Sequence, residues 1–437
     1  MKKRVLATLL AAILVLSMLV GCGSKDTEDA GSADDSKGSV YYLNFKPEAD
    51  AAWQELAKQY TEETGVEVKV VTAASGTYEQ TLTSEMEKSS APTMFQVGTQ
   101  IAVDTWGDYC YDLAGTDVEA EMTDTGYNLT DGEKVYSVAY CFESYGIIVN
   151  KALLKEAGYD VEYITNFETL KEVAEDITAR KDELGFAAFS ANGLDDSSAW
   201  RFTGHLTNMP LFYEFRDDNV TEQPAEVTGA YLENYKNIWD LYINNSTCAP
   251  NELPTKTSTD AVAEFGKGQA VFYQNGSWEY AALTSKDGEY AMNPEDLTMI
   301  PIYCGVEGEE NAALCSGTEN CWAVNSKASE EDIKATLDFM KWVVTSEAGT
   351  KMMVEQFGAV PFKGVEGLVA ENVFCAAAKE YEGEGKYNVS WAFNYTPNVE
   401  QWRAGIKSAL LQYSNGGDWA NVETAFINGW ATQYQNQ

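Results

Sequence analysis

Alternation and helical spacing of apolar residues divide the chain into a recurring order of strands and helices. Val40–Phe45 is a short apolar run that reads as a strand. In Glu48–Thr64, Trp53, Leu56, Ala57 and Tyr60 recur at helical spacing, and Gly65 supplies the stop. Val66–Thr72 alternates and is rich in β-branched residues, which predicts a second strand. Strand, helix and strand at this spacing form a βαβ unit and imply parallel pairing. A helix over Thr77–Lys88 and a strand at Met94–Val97 continue the pattern. Further strands are predicted at Gly146–Val149, Gly185–Phe189 and Ala270–Tyr273, and helices at Phe167–Lys181, Thr228–Asn244, Ala328–Thr345 and Val399–Tyr413. The class is α/β throughout, with more elements than one sheet usually holds.

The first residues follow a different pattern. Met1–Arg4 is basic and Val5–Val20 is almost wholly apolar, yet shorter than the roughly 20 residues that span a bilayer. This is the pattern of a secretory signal, here residues 1–21. It ends in Leu19-Val20-Gly21-Cys22, which resembles the lipobox of bacterial lipoproteins, where the cysteine is lipidated and becomes the first mature residue. Cys22 is therefore the expected lipidation site, and the expected location is the outer face of the cell membrane. Residues 22–39, rich in Gly, Ser and Asp, have little to bury and read as a flexible tether.

Composition narrows the chemistry. The 437 residues suit two or three domains. Against 30 basic residues stand 68 acidic ones, a formal charge of −38, which repels nucleic-acid backbones and anionic lipid. The chain has one histidine, His205. That rules out an HExxH zinc site and leaves at most one Ser-His or Cys-His pairing. No cofactor or metal is expected, an acidic calcium loop being the one exception left open. Beyond Cys22, the cysteines at 110, 141, 248, 304, 315, 321 and 375 lack C-x-x-C spacing and mostly lie among apolar neighbours. They read as small buried hydrophobes.

Several segments, in order, carry a resemblance. Glu62-Glu63-Thr64-Gly65-Val66-Glu67-Val68 is one. Ser90-Ala91-Pro92-Thr93-Met94-Phe95 is the next, with Thr93 where the pattern usually has Asp. Val135–Val138 leads to Gly146–Lys151, and Phe265–Val271 is followed by Asn275-Gly276-Ser277-Trp278. Together they resemble the extracytoplasmic solute-binding proteins of ABC importers, in the oligosaccharide branch that includes maltose-binding protein. The resemblance implies a periplasmic-binding-protein-like fold of two lobes, each a central sheet flanked by helices, with a di- or oligosaccharide held between them. It further implies that residues 40–140 and 297–325 form one lobe and 146–296 and 332–437 the other. Residues 141–145 and 326–331 would be the hinge crossings. The implied partners are the sugar and the permease subunits of the importer, with the protein acting as a monomer on its lipid anchor.

A sugar site needs aromatic platforms for C–H faces and short polar side chains for hydroxyls. Trp278 follows Asn275-Gly276 at a predicted strand end, where the family's tryptophan stacks on sugar; a core role is the competing reading. Glu143 lies seven residues before Asn150, the spacing of the family's hinge glutamate, although a surface hinge charge would have the same spacing. Lys46 and Glu48 follow the first strand, in the family's first-loop contact position. Gln96 and Gln100 follow the third strand, and Glu319 sits in a polar loop before Cys321–Val324. Trp200 and Arg201 fall in a long polar loop, and Trp391 in Ser390–Phe393. Trp53, Trp342 and Trp402 read as packing residues and His205 as structural. A lipid-anchored glycoside hydrolase, which needs only two suitably spaced carboxylates, and a glycan-binding adhesin are the alternatives.

Overall fold

A computed structural model describes residues 37–437, apart from 192, 319, 369 and 370. The signal sequence, Cys22, most of the tether and Glu319 lie outside the described residues. The strands, in chain order, are β1 Ser39–Asn44, β2 Glu67–Thr72, β3 Met94–Val97, β4 Leu129–Thr130, β5 Val135–Ser137 and β6 Glu143–Asn150. There follow β7 Ala187–Phe189, β8 Ala270–Gly276, β9 Leu297–Ile300, β10 Ala312–Gly317, β11 Cys321–Val324 and β12 Tyr387–Val389.

They assemble into two main sheets. The first has the order β11-β3-β1-β2. β1 and β2 run parallel, from Ser39 opposite Glu67 to Asn44 opposite Thr72, as the βαβ reading requires. The helix between them, Asp50–Thr64, stops at Gly65, whose φ of 74° is left-handed and favours glycine. The second sheet has the order β12-β10-β6-β8-β7, with β9 also on β6. Its centre is β6, buried along its whole length, and antiparallel to β8, β9 and β10.

Each sheet has its own core. In the first, Trp53 is fully buried and meets Tyr42 and Trp322 edge-on at 5.0 and 5.8 Å. The second gathers Tyr145, Phe202, Trp239, Trp402 and Trp430. Trp53 and Trp402 are thus packing residues, as expected. Trp342 lies at the border of the first core, its Nε1 donating to Glu63 at 3.0 Å. Of the seven described cysteines, Cys110, Cys141, Cys304, Cys315, Cys321 and Cys375 are buried and Cys248 is partly exposed.

Sheet membership differs from the expected lobe division. Residues 297–317 were assigned to the first lobe, but β9 and β10 pair in register with β6 and belong to the second sheet. Helices Glu330–Thr345 and Glu347–Phe357 were assigned to the second lobe. They bury Phe339, Val343, Met353 and Phe357 in the first core, because their apolar stripes match the surface around Trp53 and Trp322. The chain therefore passes between sheets at residues 138–142, at 318–320 and between Phe362 and Phe374, rather than at 326–331. Trp322 and Val138 exchange backbone hydrogen bonds beside the first two crossings.

Candidate functional site

The ends of β1, β3, β8 and β10 and the start of β6 converge at these crossings. Gly317 lies opposite Glu143, and Gly276 opposite Tyr145. Phe45, just past β1, donates its backbone N–H to Gln96 Oε1 on β3 at 2.6 Å. Strand ends of this kind are where α/β sheets place their ligands.

One side of the region is ionic. Asn44 fixes the turn after β1 by accepting from Lys46 N at 3.1 Å and donating to Lys46 O at 2.7 Å. The Lys46 ammonium then reaches Glu143 Oε2 at 2.6 Å and Glu48 Oε1 at 3.8 Å. Burial alone would lower the Lys46 pKa, but the carboxylates around it, Glu143 foremost, raise it above the ordinary lysine value. Across from Glu48, Asn275 Nδ2 donates to Glu279 Oε1 at 2.8 Å. Burial pushes the Glu279 carboxyl up to about 7; the Arg201 charge opposes the shift, and Glu48 adds to it.

The other side is aromatic, with His205 at its centre. The imidazole stacks on Tyr145 with ring centroids 3.8 Å apart and 4° between planes. Trp200 meets it edge-on at 4.9 Å, Trp278 lies at 5.5 Å and Phe393 at 6.4 Å. Trp391 lies 5.7 Å from Phe393, near parallel. Two of these rings are seated on glycines. A Cβ on Gly276 would come within 2.2 Å of the Trp278 ring, and one on Gly317 within 2.8 Å of Trp391. The glycine of Asn275-Gly276-Ser277-Trp278 is required by this close approach, since its φ of −128° suits any residue.

The residues singled out in the sequence are distributed unevenly. Lys46, Glu48 and Glu143 come together, and Trp200, Arg201, Asn275, Trp278 and Trp391 gather on the second sheet's side. Glu143 is only 3% exposed and held by Lys46, and Trp391 is 6% exposed. Gln96 faces the interior. Both its amide hydrogens are used, on Tyr140 OH at 2.9 Å and Asn320 O at 3.0 Å, so it has none for a ligand. Gln100 is exposed and accepts from Thr130 N on the β4–β5 hairpin. Arg201 does not lie in a loop: it begins a wide helical turn, Arg201–His205, that continues as helix Leu206–Asp218. It is fully buried, donating to Gln274 O at 3.1 Å and Ser198 Oγ at 3.0 Å.

Four residues of the region went unmarked in the sequence: Tyr145, Gln274, Glu279 and Phe393. Glu279 directly follows Trp278 and Phe393 lies two beyond Trp391, so proximity to a marked tryptophan was the available signal. Among the described residues no group of His, Cys, Asp or Glu is arranged to hold a metal, and no helix is long and apolar enough to cross a membrane.

Comparison with known proteins agrees with the fold. A family model described as bacterial extracellular solute-binding protein matches residues 55–366. No curated protein sequence matches the chain. Among solved structures, RafE in complex with raffinose superposes with a TM-score of 0.70 at 19% identity, covering 91% of this chain and 99% of that one. The GacH receptor of Streptomyces glaucescens, solved unliganded and with acarbose, gives 0.69 at 19% identity, with 91% and 99% covered. An ABC substrate-binding protein of Listeria monocytogenes in complex with cycloalternan gives 0.66 at 16%, with 91% and 98% covered. The fold is the two-lobed α/β fold of these proteins, and the chain belongs to the bacterial extracellular solute-binding protein family.

Proposed function

We propose that the protein captures a di- or oligosaccharide between its two sheets and delivers it to the permease of an ABC importer. The observation that carries the proposal is the pair of glycine-seated tryptophans, Trp278 beside His205 and Trp391 beside Tyr145, bordered by hydrogen-bonding side chains. Flat rings suit the C–H faces of sugars, and carboxyl and amide groups suit their hydroxyls. The likeness to proteins solved with raffinose, acarbose and cycloalternan supports the same reading.

Trp200, Trp278 and Trp391 then serve as platforms, and Glu48 and Glu279 contact hydroxyls from opposite sides, with Glu319 a further contact. Lys46, Glu143, Asn275 and Arg201 hold these groups in place. Because both sides contribute, ligand binding draws them together, and the closed form is the one the permease reads. Lipidation at Cys22 keeps the protein at the outer membrane face. The protein binds its ligand without turning it over.

A thermal-shift panel of α- and β-linked oligosaccharides tests the proposal, with an increase in unfolding temperature expected for at least one. Reducing ends released from that sugar would instead identify a glycoside hydrolase.

A further inference from the structure

We infer that His205 contacts the ligand directly, its Nε2 forming a hydrogen bond with a hydroxyl of an uncharged sugar held between the Trp200–Trp278 and Trp391–Phe393 ring pairs. The inference rests on the proposed sugar binding and assigns a role to a residue whose sequence context suggests only packing.

In most buried histidines with a purely structural role both ring nitrogens are paired, with protein or with water. Here Nδ1 lies 3.3 Å from Gln274 Nε2, and among the described residues Nε2 has no hydrogen-bond partner. Turning the Gln274 amide changes the tautomer but not this outcome. If Gln274 donates to Nδ1, Nε2 carries the proton and is a donor; if Gln274 accepts, Nε2 is an acceptor. A hydroxyl complements either state. Desolvation keeps the imidazole neutral, and the Arg403 and Arg201 charges add to the effect. A neutral imidazole neither attracts nor repels an uncharged sugar through net charge.

Trp391 Nε1, Asn394 Oδ1 and Thr318 Oγ1 are buried and unpartnered. They lie along the Trp391–Phe393 side, where Asn394 Nδ2 reaches Thr318 O at 3.5 Å. One is a donor, one an acceptor and one can act as either. Buried polar groups left unpaired in this way are costly unless a partner arrives. A hydroxyl on a ring seated between the aromatic pairs would pair with His205 Nε2.

The single histidine makes the test direct. In the full chain labelled with ¹⁵N-histidine, the imidazole nitrogens belong to one residue, and raffinose, maltotriose and xylotriose serve as probes. On adding a sugar that binds by calorimetry, the Nε2 resonance is expected to move and Nδ1 to move far less. His205→Phe keeps a ring on Tyr145 but leaves the buried Gln274 amide without its partner, so the variant is expected to unfold somewhat more readily than the wild type without sugar, while its folded fraction binds about tenfold more weakly. Unchanged affinity in that variant, or an Nε2 resonance unmoved by bound sugar, would overturn the assignment. If the wild type binds none of the probes, the failure belongs to the proposed function. Diethyl pyrocarbonate then tests His205 alone: modification of the sugar-free imidazole keeps an open Nε2, and lack of reaction overturns it.

Discussion

Lys46 Nζ lies 2.6 Å from Glu143 Oε2, and the pair joins the turn after β1 of the first sheet to the first residue of β6 of the second. Each side chain is only about 4% exposed. Removing one partner leaves the other charge buried, with Glu48 at 3.8 Å as the remaining counter-ion to Lys46. Glu143→Leu and Lys46→Met are each expected to cost about 3–5 kcal/mol of folding stability, whereas the double variant Lys46→Met, Glu143→Leu costs less than the sum of these two single changes. Denaturant unfolding of the three sugar-free variants measures this. Strict additivity would mean that the two charges act independently.

Glu279 makes stability depend on pH. Its carboxyl titrates near 7 in the folded chain, against an ordinary value of 4.5, because burial disfavours the charged form. The folded state therefore holds the proton more tightly than the unfolded state. Its contribution is full below about pH 4.5 and is lost as pH rises through about 7. Glu279→Gln should remove that slope, so the stability difference between variant and wild type is expected to change across this window and level off above it. A constant difference from acid to neutral pH would show that the carboxyl titrates normally.

Trp278 and Trp391 are expected to respond differently to truncation. Trp278 is partly exposed beside Trp200, so Trp278→Ala leaves a space that water can refill. Its loss should fall on affinity, by roughly 30- to 1,000-fold, with little change in sugar-free stability. Trp391 is both a platform and a packing residue, only 6% exposed against Gly317 and Phe393, so Trp391→Ala should cost about 3–5 kcal/mol of folding stability in addition to weakening binding. Unfolding each variant with and without sugar separates the two effects, and a severely destabilised Trp278→Ala whose folded fraction binds normally would make Trp278 a core residue.

Local pattern made much of the fold legible. Met94–Val97 is a strand with the expected bounds, and the helices at 167, 328 and 399 begin within two residues of their predicted starts. The segment Arg201–Asp218 was not legible as a helix. It is buried on nearly every side, so its apolar residues show no stripe, and Gly204 and Pro210 look like breakers. Sheet membership was also hidden, because nothing local distinguishes β9, β10 and β11 by the sheet each joins. At the site, strand-end motifs marked the tryptophans. They could not mark Tyr145, whose stacking on His205 depends on two distant segments meeting.

Cys22 is expected to anchor the mature chain. Cys22→Ala should release the protein into the medium or leave the precursor uncleaved, as fractionation and immunoblotting would reveal. An unaltered membrane-bound pool would point to another anchor.

The late position of β11 sets an order of events during synthesis. Trp322 donates from Nε1 to the Tyr42 hydroxyl, 280 residues back along the chain, and also covers Trp53. Until that tryptophan leaves the ribosome, β3 has an open edge and the first core has a gap at its centre. The second sheet waits longer still, for β12 and the helices that bring Trp402 and Trp430. Pairing across such long loops is slow. The last pieces of both cores are therefore among the last residues of the chain to be made.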